Sequence, residues 1–223
     1  MPSKVGESSA KTASREPKFR RRAEARPDEV LDAALLEFAE RGFAQTKVED
    51  IARKAGISKG AVYLYFPSKR SLLEGLVRRA VSPMAKNAAK LAAGVKGSSL
   101  DVIVLILKGI VHQLKNPKNV AIPKLILHEA LTLPEVAEFY RNAVLDVAVP
   151  TMRTLVEQGI KSGEIRPLDP DLTVRSIVGP VLVHLMLSEV FDVRPEGGLR
   201  FDDLLENHIA ILTQGLRAKG ELS

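Results

Sequence analysis

Residues 56–69, GISKGAVYLYFPSK, bring together Lys59, Tyr63, Tyr65 and Lys69 and crowd three of the chain's ten aromatic residues into four positions. Ammonium and phenol groups are side chains that hold phosphate oxygens, and a lysine also reaches guanine O6 and N7. These residue types point to a polyanion rather than to bond making. No Ser/His/Asp arrangement, phosphate-binding loop or cysteine accompanies them. The four histidines, His112, His128, His184 and His208, fall in separate segments without metal-ligand spacing. No enzymatic activity, metal or cofactor is expected.

Which of these side chains share a face depends on the element that carries them. By composition, Val62 to Phe66 suits a strand. The flanks overrule that: Gly56 permits a reversal, Ser58 suits an N-cap, and Pro67 ends the element, leaving a helix at 59–65. On a helix, Val62 and Phe66 form an inward ridge, while Tyr63 and Tyr65 stand roughly 200° apart. Lys59, Gly60 and Ala61 then occupy the exposed leading end, where small residues let the backbone approach base edges. Upstream, Thr46 and Glu49 have capping-box spacing, and Val48, Ile51, Ala52 and Ala55 point inward up to Gly56. Two short helices joined by such a turn make a helix-turn-helix, whose second helix enters the major groove by its N-terminal end. Before it, 27–41 reads as a helix with Val30, Leu31, Ala34, Leu35 and Phe38 on one face and Gly42 as the stop.

The charge agrees with that placement. The net charge is +6; residues 1–24 carry +4, residues 25–80 carry +2, and the rest is neutral. Residues 1–22, ending in Arg20-Arg21-Arg22, are too polar to offset their ordering entropy by burial and read as a disordered basic tail. That arginine run has two readings, a phosphate or minor-groove contact and a solvated tail. With no cysteine, disulfides and thiolate sites are excluded, which fits a reducing cytoplasm. The start has no apolar signal-peptide core, and no apolar run reaches the ~20 residues of a membrane span, so a cytoplasmic location is expected.

The stretch TKVEDIARKAGISKGAVYLYFPSKRSLLEGL, within residues 27–79, strongly resembles the N-terminal domain of the TetR/AcrR family of one-component bacterial repressors. The matches are Gly42-Phe43, Thr46, Ile51-Ala52, Ala55-Gly56, Ser58, Gly60, Tyr63, Tyr65-Phe66, Lys69 and Leu72. Many members carry His where this chain has Tyr65; both reach a phosphate. The resemblance implies that Thr46, Lys47, Ser58, Lys59, Gly60, Ala61, Tyr63, Tyr65 and Lys69 face double-stranded DNA, and that the chain is not an enzyme. It stops near residue 80.

Beyond Pro67, helices are expected from Ser68 through a single long segment to about 94, then at 99–115, 117–131, 134–162, 170–191 and 202–217. The fold class is therefore all-α, with about nine helices. The domain division is a tail at 1–22, a helix-turn-helix domain at 23–68, and a ligand-sensing and dimerisation domain at 69–219. Residues 172–191 are apolar almost all round, and Leu204, Leu205, His208, Ile209 and Leu212 form a second stripe. Two such helices per chain suit a four-helix homodimer interface at about 170–217, as the family also implies; burial within a single-chain core is the other reading. A dimer matches a palindromic operator. A pocket for a small-molecule effector is expected between the helix from Ser68 and those spanning 99–162. Its candidates are His112, Gln113, His128, Asn142 and Met152, each equally readable as core or surface. A mostly aliphatic lining suggests an apolar or weakly polar effector. Pro123 and Pro150 kink their helices, and the kinks either widen a cavity, act as a hinge or are inert. The reading is a ligand-released repressor; a helical protein-binding adaptor is the alternative.

Overall fold

The computed structural model describes residues 18–94 and 97–218. Its α-helices are α1 (Lys18–Gln45), α2 (Val48–Lys54), α3 (Lys59–Tyr65), α4 (Lys69–Ala80), α5 (Ser82–Ala93), α6 (Ser99–Leu114), α7 (Pro117–Glu129), α8 (Pro134–Tyr140), α9 (Asp146–Lys161), α10 (Pro170–Glu189) and α11 (Phe201–Leu216). Because α4 bends into α5, and α8 runs through a π-helical turn at Arg141–Leu145 into α9, the described residues form nine rods. They contain no strand, only an isolated bridge between Ile165 and Arg217.

Three boundaries differ from expectation for local reasons. First, α1 starts at Lys18, so residues 18–22 belong to a helix rather than to the tail; residues 1–17 lie outside the described residues. Second, Gly42 (φ 76°, ψ 160°) breaks α1 without ending it, and one more turn runs to Gln45. That conformation is open to glycine alone without strain. Gly42→Ala is therefore expected to cost about 1–3 kcal/mol, read as a lower urea midpoint at unchanged m-value. Third, the expected long helix from Ser68 divides at Val81. Pro83, in the first turn of α5, has no N–H to donate back toward Arg79. Ser68 does cap α4, in a reciprocal capping box with Ser71.

Two apolar cores hold the rods together. The first joins Val30, Leu31, Ala34, Leu35 and Phe38 of α1 to Val62 of α3, Leu72 and Leu76 of α4, and Ile122, Leu125 and Ile126 of α7. The helices before residue 68 thus share one core with the body. Gly75 allows this closeness: a Cβ there would lie 2.9 Å from both Leu31 and Phe66 side chains. The second core joins Ile103 and Leu107 of α6, Met152, Leu155 and Val156 of α9, Ile177 and Leu185 of α10, and Leu205 and Leu212 of α11.

Helix α10 corrects the expectation that nothing here could span a membrane. By length and composition it could: an 18-residue window has a mean hydropathy of 1.3. It also carries Asp171, Arg175 and Glu189 and packs on α7, α9 and α11. Only 33% of the window is buried within the chain, so much of its apolar surface faces outward.

Candidate nucleic-acid interface

The α2–α3 unit is fixed from both sides of its turn. Gly56 (φ 67°) takes the left-handed conformation, Ile57 N–H donates to Ala52 O at 3.0 Å, and Gly56 N–H to Arg53 O at 3.2 Å. This paired closure satisfies the last carbonyls of α2. Ser58 then caps α3, its hydroxyl accepting Ala61 N–H at 3.1 Å. Val62 is fully buried and Phe66 half-buried, as the inward ridge requires.

With that ridge anchored, the opposite surface of α3 points away from the molecule. Lys59, Gly60, Tyr63, Leu64 and Tyr65 are exposed, Ala61 is half-buried, and Lys47 is exposed at the entry to α2. Lys59 Nζ lies 2.5 Å from Glu49 Oε1 and 5.7 Å from the Tyr63 ring centroid. The hydrogen bond that Lys59 donates to the Glu49 carboxylate holds the Lys59 pKa above its ordinary value, and the same contact holds that of Glu49 below its own. Lys59 is therefore a charged ammonium held in place by Glu49 at the leading end of α3.

Gly60 is informative because the fold does not require it. Its φ is not positive, and a Cβ there would meet nothing nearer than Ser58 Oγ at 3.9 Å. A helical glycine costs about 1 kcal/mol relative to alanine, and no contact within the chain offsets that cost.

Two residues expected to face DNA are engaged within the chain. Thr46 is 2% exposed, and its hydroxyl donates to Glu37 O at 3.0 Å and Gly42 O at 2.7 Å. It caps nothing: α2 starts at Val48, Lys47 is its N-cap residue with no side-chain bond, and Glu49 reaches Lys59. Lys69 is also engaged. Its Nζ donates to Phe43 O at 2.6 Å, Ala44 O at 2.9 Å and Thr46 O at 3.0 Å, and sits 4.7 Å over the Phe43 ring. Burial lowers its pKa from the ordinary lysine value. It satisfies the free carbonyls that the Gly42 break leaves at the end of α1.

Leu64 escaped the sequence reading. It is 84% exposed between the two tyrosines. The signal was available, since Leu64 lies one turn beyond Gly60 and so on the same face.

The effector candidates do not converge. His112 and Gln113 are exposed on the groove between α6 and α11, and His128 lines a different cavity behind α1. Asn142 is exposed on the π turn, and Met152 is buried in the second core. The expected space between α4–α5 and the helices of 99–161 is partly packed by Ile103, Leu107, Leu155 and Val156, and a smaller cavity of about 290 Å3 remains there, lined by Arg79, Pro83, Met84, Gln113, Asn119 and Ile122. Neither remaining histidine is available: His184 bonds to Leu199 O and His208 to Ile177 O. Among the described residues no group of His, Asp or Glu is arranged to hold a metal.

Residues 30–76 match the family model for bacterial regulatory proteins of the tetR family, and residues 96–196 match a tetracyclin repressor-like C-terminal domain. The chain belongs to the TetR family. Among TetR-family relatives, the transcriptional repressor KstR2 of Rhodococcus jostii is 27% identical over 198 residues, covering 86% of this chain and 91% of that protein. The fatty acid metabolism regulator protein of Bacillus subtilis is 28% identical over 156 residues, covering 69% and 78%. The crystal structure of FadR from Bacillus subtilis in complex with stearoyl-CoA aligns with a TM-score of 0.66 at 21% identity, over 84% of this chain and 98% of that one. TetR-family membership makes the chain a helix-turn-helix regulator of transcription, and α2 and α3 lie within the matched N-terminal region.

Proposed function

We propose that this TetR-family protein is a cytoplasmic repressor that binds a palindromic operator as a homodimer and is released by a small-molecule effector. The observation that carries the reading is the outward surface of α3: a prepositioned Lys59, a glycine the fold does not need, and Tyr63, Leu64 and Tyr65 on a buried ridge. In the groove, Lys59 reads a base or holds a phosphate, Leu64 makes an apolar contact with a base edge, and the tyrosine hydroxyls meet phosphates. Thr46 and Lys69 act one step back, by fixing α1 to α2.

The dimer reading is supported by Val183, Met186 and Leu187, exposed on α10 at helical spacing, with Val190 exposed at its C-cap and Ile211 exposed on α11. The effector has a substantial apolar part. The cavity behind α1 is lined by Phe38, Leu114, Val120, Leu125 and Phe201, and the FadR relative is described with bound stearoyl-CoA.

Selection of bound sequences from random DNA is expected to enrich a palindrome with half-site centres about 34–36 Å apart or somewhat further. Affinity for it should fall steeply with salt. No enrichment of any sequence would refute operator binding and favour a protein-binding adaptor. Lys59→Ala is expected to lose about 1–3 kcal/mol of discrimination at the bases it faces, measured by gel shift against single-base operator variants. Unchanged affinity for all of them would remove Lys59 from the reading set.

A further inference from the structure

The cavity behind α1 touches the break in that helix, and one buried acid connects the two. The cavity holds about 670 Å3 and takes in Gly42, His128 and Glu129 as well as its apolar wall. This volume is in the range of drug-sized ligand sites. Glu129, at the end of α7, is 4% exposed, and its Oε1 accepts Phe43 N–H at 3.1 Å. The peptide after Gly42 is thus held twice. Glu129 of the body takes its N–H, and Lys69 of α4 takes the carbonyls of Phe43, Ala44 and Thr46. That peptide leads directly into α2 and so sets the position of α3.

The charges around the cavity are unequally satisfied. Asp202 pairs with Lys115 at 2.6 Å, and Glu189 with Arg194 at 3.4 Å and Lys124 at 3.9 Å. Among the described residues, Glu129 alone of the three lining acids has no cation within ion-pair distance; its hydrogen bond is to a neutral amide, and the Lys69 ammonium acts on it only at longer range. A buried carboxylate so placed gains most from a cationic partner. A cation that pairs with either carboxylate oxygen can draw the side chain toward itself and so away from Phe43 N–H.

We propose that this cavity binds an apolar molecule bearing a protonated amine, and that the ligand draws Glu129 away from Phe43, releasing the α1–α2 joint from the body. The proposal rests on the reading of the chain as an effector-responsive regulator and assigns that response a site and a latch. Population shift then requires only that the ligand prefer the unlatched form.

Dodecylamine and dodecanoate, titrated calorimetrically into the full chain, share one apolar tail and differ in the charge at its end. Dodecylamine is expected to bind at least about tenfold more tightly, the scale of one buried charge-assisted hydrogen bond. Ala39→Trp, at an exposed position on the cavity wall, should weaken amine binding more than about tenfold by filling the space. Glu129→Gln keeps the side-chain shape and should bring the two probes within about twofold of each other. Hydrogen exchange at the Phe43 amide should speed up about tenfold when dodecylamine is bound. Equal affinity for the two probes, or amine binding untouched by both substitutions, would overturn the site. Amine binding with unchanged Phe43 exchange would overturn the latch. Operator binding measured without any probe separates these outcomes from failure of the regulator reading, which would leave the cavity results standing.

Discussion

Arginine in place of both Val183 and Leu187 is expected to leave a folded monomer whose operator affinity is lower by about 100-fold or more. These residues are exposed on α10, in a stripe with Met186 and Val190, while Ile177, Val181 and Leu185 of the same helix are buried in the chain's own core. The substitutions therefore spare that core and act on whatever covers the stripe. In a dimer interface they would bury unpaired charge, at a cost of several kcal/mol. A monomer then loses the tethering that presents a second recognition helix at an effective concentration of order millimolar. Light scattering after size exclusion reads the oligomeric state, fluorescence anisotropy the operator affinity, and circular dichroism the retained fold. A double variant that remains dimeric would place the interface elsewhere.

Lys69→Met should destabilise the protein by about 2 kcal/mol, because a charge-assisted donor is withdrawn from three carbonyls that take no backbone hydrogen bond among the described residues. For a chain of this size that lowers Tm by about 4–8 °C. Methionine keeps the apolar stem over Phe43, so the loss isolates the ammonium. DNA affinity should fall in step with stability, as the Phe43–Thr46 segment that carries α2 loosens. A residue that only touched phosphate would behave in the opposite way, losing affinity in high and low salt to different degrees while Tm stayed fixed. Thermal melting beside a salt series of anisotropy titrations distinguishes the two.

That reversal of Lys69 shows where reading from sequence stops. Residue type and position marked it as a cation beside the recognition helix, and that remains true. Its partner was hidden, because the carbonyls it bonds lie 23 to 26 residues away and belong to backbone, which has no sequence signature. Thr46 misled in a similar way. Thr and Glu at capping-box spacing form a box only if the Thr is the N-cap, and here Lys47 takes that place because α2 starts one residue later. Ser58 and Ser68, whose partners lie three residues on, were legible as caps. The effector candidates fared worst, since polar residues in apolar helices carry no mark of which cavity they will line. His112, His128 and Asn142 ended at three separate places.

By itself the sequence determined the helical class, the rods, the turn at Gly56 and the outward end of α3. These depend on periodicity, caps and glycine conformation, which act over one or two turns of chain. The tertiary structure alone decided which cations are free and where a cavity lies. It also decided that Glu129, 86 positions from Phe43, holds the joint of the DNA-binding unit. Those outcomes depend on which helices pack together and how closely, a matter of long-range burial that local spacing does not encode.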